Sequence, residues 1–331
     1  MGEIQSSVNA LRQPLEQLIP LDTPFVLYVE PSGYCNFKCT FCPHYLDPDS
    51  LTKDTMSLAT FEKIISDISS FQSPLTVLRL IGTGEPLLNK NIVEFARLAR
   101  NSSGIKAVEL TTNASLLKPQ LALSLSPYLD RIIVSVEGLD DSSYLKYSGM
   151  KVRFSDIVHN VRRLYEVRSG CQVYVKIHGD AVSSERDAAL FYETFLPISD
   201  KAFIENLVDL WPETPTDYRS SQKARFGGQL TAKTVCSQIF KSMMINANGD
   251  IVPCCVDYQR KLILGNVLQA SLSQIWHSQQ LNLLRRNHLL GKKSCIAPCS
   301  ECSYNDGSDV DNIDAFASEI LPRILIDCLH E

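Results

Sequence analysis

Cys35, Cys39 and Cys42 form a C-x3-C-x2-C pattern. Thiolates are the usual ligands of iron–sulfur clusters. Three of them on a four-iron cubane leave one iron open to an external chelating ligand. The same residues also fit a zinc site or three buried thiols, although structural zinc takes four ligands, commonly in C-x2-C pairs. A second group comprises Cys236, Cys254, Cys255, Cys295, Cys299 and Cys302. Asn248-Gly249 between two apolar stretches is a hairpin signal that would bring Cys236 and Cys254 together. With the C-x2-C pair Cys299/Cys302 they make four thiolates, enough for a whole cubane or equally for structural zinc. Cys295 competes for one of those places. Cys171 and Cys328 read as core residues, and the histidines show no ligand spacing.

The elements that must position these residues alternate. Apolar runs at 24–30, 76–81, 107–111, 131–136, 172–177 and 203–208 read as six strands. Helical stripes separate them, among them Phe61, Ile64, Ile65 and Ile68 with Ser57 as N-cap. Alternation at this spacing means a parallel sheet with crossover helices, a partial (β/α)6 barrel. In such barrels chemistry sits at the C-terminal strand ends. The cysteine loop, Gly82-Thr83-Gly84-Glu85-Pro86, Thr112-Asn113 and Ser135 to Glu137 all fall there. The expected organisation is a leader helix at 1–23, the barrel at 24–210, a linker at 211–230, a cysteine-bearing domain at 231–308 and a helical tail at 309–331, broken at Pro322.

Composition narrows the function. A chain of 331 residues allows about two domains. With 32 Lys+Arg against 37 Asp+Glu and no basic run, a sequence-independent nucleic-acid binder is not expected. No apolar stretch of about 20 residues suggests a membrane span. Eleven cysteines are too sparse for a disulfide scaffold, and residues 1 to 20 lack a secretory core segment, so a reduced, cytoplasmic setting is expected.

The segment from Tyr34 to Cys42, with Phe41 just before the third cysteine, closely resembles the cluster motif of radical S-adenosylmethionine (SAM) enzymes. The resemblance covers about residues 24 to 208. It implies a [4Fe–4S] cluster on Cys35, Cys39 and Cys42 whose open iron chelates the amino and carboxylate groups of SAM. One electron then cleaves SAM to methionine and a 5′-deoxyadenosyl radical, which abstracts a substrate hydrogen. Gly82, Thr83, Gly84 and Glu85 resemble the Gly-Gly-Glu-Pro motif, with Thr83 in place of a glycine. Glu85 would face the SAM ammonium; alone it would read as a helix N-terminal acid. Thr112 and Asn113 resemble a Thr-Asn-Gly segment in which Ala114 replaces glycine. Ser135 and Glu137 resemble the segment touching the SAM ribose. Where an Arg-Gly pair is common, this chain has Ser148-Gly149, leaving Lys176 or Lys146 as candidates for the SAM carboxylate, against the alternative of solvated lysines.

Residues 236 to 302 resemble the SPASM/twitch extension of a branch of these enzymes. Leu264-Gly265-Asn266-Val267 and Ser273-Gln274-Ile275-Trp276 are typical of it. The full version continues with C-x5-C, but Ser308 stands at that place. The resemblance therefore implies one auxiliary [4Fe–4S] cluster on Cys236, Cys254, Cys299 and Cys302. Cys255 is left as a hydrogen donor, an alternate ligand or a packing residue. The branch resembles aminoglycoside-pathway dehydrogenases and epimerases. That implies oxidation or epimerisation of a hydroxylated small molecule, with electrons from a reductant such as flavodoxin or ferredoxin. Peptide modification, decarboxylation of a sugar-acid nucleoside and a non-enzymatic zinc-binding interaction protein are the alternatives.

Overall fold

The structure, a computed structural model, describes residues 3–4 (backbone alone), 13–208, 210, 223–307 and 311–325. One sheet contains β1 (Glu3–Ile4), β2 (Val26–Val29), β3 (Val77–Leu80), β4 (Val108–Thr112), β5 (Arg131–Val136), β6 (Gln172–His178), β7 (Lys201–Glu205), β8 (Ser242–Ile245), β9 (Asp250–Val252) and β10 (Gly265–Asn266). Its order is β1-β7-β6-β5-β4-β3-β2-β8-β9-β10, so the sheet is mostly parallel and its two edges do not meet. β2 to β7 run side by side in chain order, as βαβ units require. This is the expected partial barrel.

The two faces of the strands differ in kind. Leu27, Leu78, Leu110, Ile132 and Val173 point outward into the apolar layer shared with the helices. Helix Leu58–Ile68 starts where Ser57 accepts a hydrogen bond from Thr60 N at 3.0 Å. It buries Phe61, which stacks on Phe95 of helix Ile92–Asn101 at 4.1 Å between ring centres. The inward face is polar. Tyr28, Arg79, Glu109 and Arg131 occupy one register row across β2 to β5.

Three expectations change. The leader is not one helix: its described helical part is Leu15–Leu18, and Glu3–Ile4 pairs parallel with β7. The last barrel strand ends at Glu205, because the chain turns away where Asn206 N donates to Arg225 O. The sheet does not stop at the barrel, since β8 joins β2 in parallel and carries β9 and β10. Most of the expected linker, Ser308 and Cys328 lie outside the described residues. The described tail breaks as expected, helix Ala317–Ile320 giving way to a 3-10 turn at Leu321–Arg323. Among the described residues no helix is long and apolar enough to cross a membrane.

Candidate iron–sulfur and SAM site

The cysteine loop leaves β2 and is held from below and from the side. Gly33 N donates to Asp54 O at 2.8 Å, and Lys38 N and Thr40 N donate to Ser148 O and Tyr147 O, each at 2.9 Å. Gly149, at φ +65°, passes so close that a Cβ there would lie 2.8 Å from Lys38 O. The Ser148-Gly149 pair thus supports the loop from beneath, and the Ser148 hydroxyl turns back onto Tyr144 O at 2.7 Å. Burial pushes the Cys35 thiol up to about 11 and Cys42 up to about 12, and lifts Cys39 well above the usual range. For Cys39 and Cys42 the other thiols of the set add to the rise, so a metal binding here must displace protons.

The loop after β3 lies against the cysteine loop. A Cβ on Gly84 would sit 2.1 Å from Ser32 O, and Glu85 N donates to Tyr34 O at 2.8 Å. Gly82 faces Glu30, whose side chain leaves no room for a Cβ. Glu30 accepts from Thr83 N at 2.9 Å and from Thr83 Oγ1 at 2.7 Å. The hydroxyl gives Thr83 a bond to Glu30 that a glycine could not make. Glu85 is buried and accepts from Leu87 N (3.1 Å), Thr112 Oγ1 (2.7 Å) and Asn113 N (2.9 Å). It caps the short turn Pro86–Leu88 and ties β3 to the end of β4. Burial raises its pKa and these bonds oppose the rise. Asn113 continues the network to Asn36 of the cysteine loop at 3.0 Å.

On the other side, Phe41 meets His178 edge-on at 5.0 Å, and Tyr147 does so at 4.6 Å. His178 Nε2 lies 3.8 Å from Glu137 Oε2, yet neither ring nitrogen has a hydrogen-bond partner. Burial holds His178 down at about 4. Burial also pushes Glu137 up to about 7, with Lys176 opposing and Glu205 adding to the rise. Ser135 is half-buried and sits opposite Lys176 in register. Lys176 Nζ is 2.5 Å from Glu205 Oε1, and Lys146 Nζ is 3.1 Å from the Tyr147 hydroxyl.

Cys42, Gly82, Thr83, Lys176 and Cys255 line one cavity of about 800 Å³ inside the barrel. Glu85 does not line it. Cys254, next to Cys255, faces the opposite way, into a small pocket it shares with Cys236, Cys299 and Cys302. The exposed Cys295 is not part of that pocket. Two neighbours there had no sequence signal. Lys293 donates to Cys302 O at 3.0 Å, and the buried His288 accepts from Cys236 N at 3.3 Å.

The donor chemistry suits iron–sulfur clusters. All ten cysteines among the described residues are free thiols. Among the described residues no three His, Cys, Asp or Glu side chains converge on one point as a single ion would need. Ligands of a cubane bind different irons at its corners and need no common point. The orphaned nitrogens of His178 beside Phe41 and Glu137 mark a place where a polar ligand would be accepted.

Comparisons with known proteins agree. Residues 29–190 match the Radical SAM superfamily and residues 236–303 match SPASM, an iron–sulfur cluster-binding domain. The GTP 3′,8-cyclase of Actinobacillus pleuropneumoniae serotype 5b (strain L20) is 28% identical over 178 residues, 53% of this chain and 50% of the relative. That of Staphylococcus epidermidis is 30% identical over 154 residues, 46% and 44% of the two chains. The chain thus spans about half the length of the curated relatives it matches. Among solved structures, BtrN in complex with AdoMet and 2-DOIA superposes with a TM-score of 0.54 at 17% identity, over 85% of this chain and 93% of that one. Streptococcus suis SuiB bound to precursor peptide SuiA gives 0.66 at 16%, over 92% and 75%. AnSMEcpe with bound AdoMet gives 0.64 at 16%, over 92% and 97%. At these identities the superpositions speak for the fold alone. The motif geometry and the two domain matches together place the chain in the radical SAM superfamily, with a core of the kind that takes a [4Fe–4S] cluster and SAM and a SPASM domain of the kind that takes auxiliary iron–sulfur.

Proposed function

We propose that the chain epimerises or oxidises a hydroxylated small molecule, of sugar, aminocyclitol or nucleoside-like kind, inside the 800 Å³ cavity. A cavity of that size is typical of small-molecule sites. In this reading Cys35, Cys39 and Cys42 hold the SAM cluster, and Cys236, Cys254, Cys299 and Cys302 hold one auxiliary cluster. Phe41, Gly82 to Glu85, Thr112, Asn113, Ser135 and Glu137 frame SAM. Lys176 would meet the SAM carboxylate while sharing its ammonium with Glu205. When bound, the cluster and SAM supply the radical that removes a substrate hydrogen.

The observation that carries the reading is the opposite facing of Cys254 and Cys255. Cys255 is turned away from the auxiliary thiols and toward the space that Cys42 also borders. That favours hydrogen donor over alternate ligand. Burial raises the Cys255 pKa, while Arg225 and Arg79 oppose the rise, so the group stays S–H at neutral pH. In an epimerisation its S–H bond breaks, a C–H bond forms on the substrate carbon, and the sulfur regains one electron and one proton. The electron comes from a one-electron reductant of the flavodoxin or ferredoxin kind.

Cys255→Ala tests this. The variant should still form 5′-deoxyadenosine but release no epimer. In deuterated water the wild type should place solvent deuterium on the product carbon. An oxidised product with no solvent deuterium and an unaffected Cys255→Ala would replace epimerisation by oxidation. Failure to form 5′-deoxyadenosine under reduction would sink both.

A further inference from the structure

Resting on the small-molecule reading above, we propose that the substrate is an anion, its carboxylate or phosphate seated between Arg79 and Arg225 beside Cys255 and Tyr28.

The argument is a charge census of the barrel interior. Glu109 is shared by two cations: Oε2 by Arg79 at 2.7 Å and Oε1 by Arg131 at 2.5 Å. Glu205 is shared in the same way, Oε1 being 2.5 Å from Lys176 and 2.9 Å from Arg225. Each cluster holds two cations on one carboxylate, and the carboxylates are 4% and 11% exposed. A partly buried cluster with a surplus charge carries a desolvation cost that a counter-charge would offset. Glu137, the other acid near Lys176, is pushed up to about 7 by burial and so carries only part of a negative charge at neutral pH. Among the described residues the cavity is lined by Arg79, Lys106, Lys176, Arg225 and Lys241 against the single carboxylate Glu205. Lys241 is already paired with Asp311 and Lys106 is exposed to solvent, which leaves the excess on Arg79 and on the Lys176–Arg225 pair.

The cavity wall fixes where the surplus points. Arg79, Arg225, Cys255 and Tyr28 all line the same space. Arg79 and Tyr28 are register neighbours, and the guanidinium lies 5.8 Å from the phenol ring centre. Arg79 on β3 and Arg225 thus border the same space as Cys255, the proposed hydrogen donor. Such a seat repels an aminocyclitol and accepts a sugar acid or a sugar phosphate.

The test uses the reconstituted holoenzyme, saturated with SAM and without reductant, so that the SAM carboxylate has already taken whichever cation it uses. Inorganic phosphate and malonate serve as shape-free probes for the two anion types, titrated by anaerobic calorimetry against sodium chloride of equal ionic strength. At least one should bind, and which one does separates phosphate from carboxylate. Arg225→Gln and Arg79→Gln should each weaken it at least tenfold, while Arg225→Lys keeps most of the affinity. Glu205→Gln, checked for unchanged iron content, should tighten it by releasing two cations; a merely structural role would not. Binding no stronger than chloride, binding lost on SAM saturation, or wild-type affinity in both Arg→Gln variants would overturn the proposal. None of these outcomes touches 5′-deoxyadenosine formation, so the radical reading fails or stands separately.

Discussion

Glu137 is a buried carboxylate whose rise in pKa Lys176 only partly opposes. Burial moves it from about 4.5 to about 7. A raised folded-state pKa means that protonation stabilises the fold. That contribution is whole below pH 4.5 and is lost as the pH rises through 7. The shift corresponds to about 3 kcal/mol at most. Glu137→Gln should therefore flatten the stability profile between pH 5 and pH 8, measured by urea denaturation of the apoprotein; an unchanged slope would remove Glu137 as the source. At this scale the cysteines were legible because their spacing is local. Glu30, Arg79, His178, Glu205 and Arg225 were not. Glu30, for example, reaches Ala247 across 217 residues, and no local pattern records such a contact.

Among the elements, the turn after β4 carries a visible strain. Ala114 has φ +58° and is fully buried. A left-handed alanine costs about 1–2 kcal/mol, and the turn is kept by Thr112 Oγ1 accepting from Ala114 N at 3.0 Å. Ala114→Val adds a β-branched side chain to the worst backbone region for it and should lose about 2 kcal/mol or more by denaturation. The hairpin was readable from Asn248-Gly249, and Gly249 does sit at φ +91°. A Cβ there would also come within 3.0 Å of Asn266 Oδ1. Gly249→Ala should cost about 1–2 kcal/mol and lower the iron retained by the auxiliary site while leaving the core cluster. Equal loss from both clusters would show that the hairpin does more than present Cys254. Strand ends shifted by a few residues from expectation because the apolar run at 203–208 continues past the last sheet pairing, and composition does not say where a strand leaves its partners.

Across the whole molecule, the auxiliary domain is an extension of the core and does not hang from it. β8 pairs with β2 over four residues, Val26 to Val29 facing Ser242 to Ile245. Glu30, at the end of β2, accepts from Thr83 on the core side and from Ala247 N on the auxiliary side. Arg260 stands 3.7 Å from the same carboxylate. Asp47, just past the cysteine loop, accepts from Tyr258 Oη and Gln259 Nε2, each at 2.8 Å. Cysteine spacing marks two groups of thiols but not this join, since a parallel pairing between distant segments leaves no mark on either. Two outcomes follow. Glu30→Ala leaves Arg260, Thr83 and Ala247 without their buried partner and should cost about 3–5 kcal/mol, with lower iron occupancy at both sites. A chain cut after residue 230 would strip β8 from β2 and bare a strand edge that carries Tyr28 and Val26, and bared apolar edges associate. Such a fragment should elute as aggregate in size-exclusion chromatography, and the intact chain should melt in one calorimetric transition. A soluble, monomeric fragment holding a full three-cysteine cluster would show that the core is complete without β8 and that the shared sheet is only a contact between independent units.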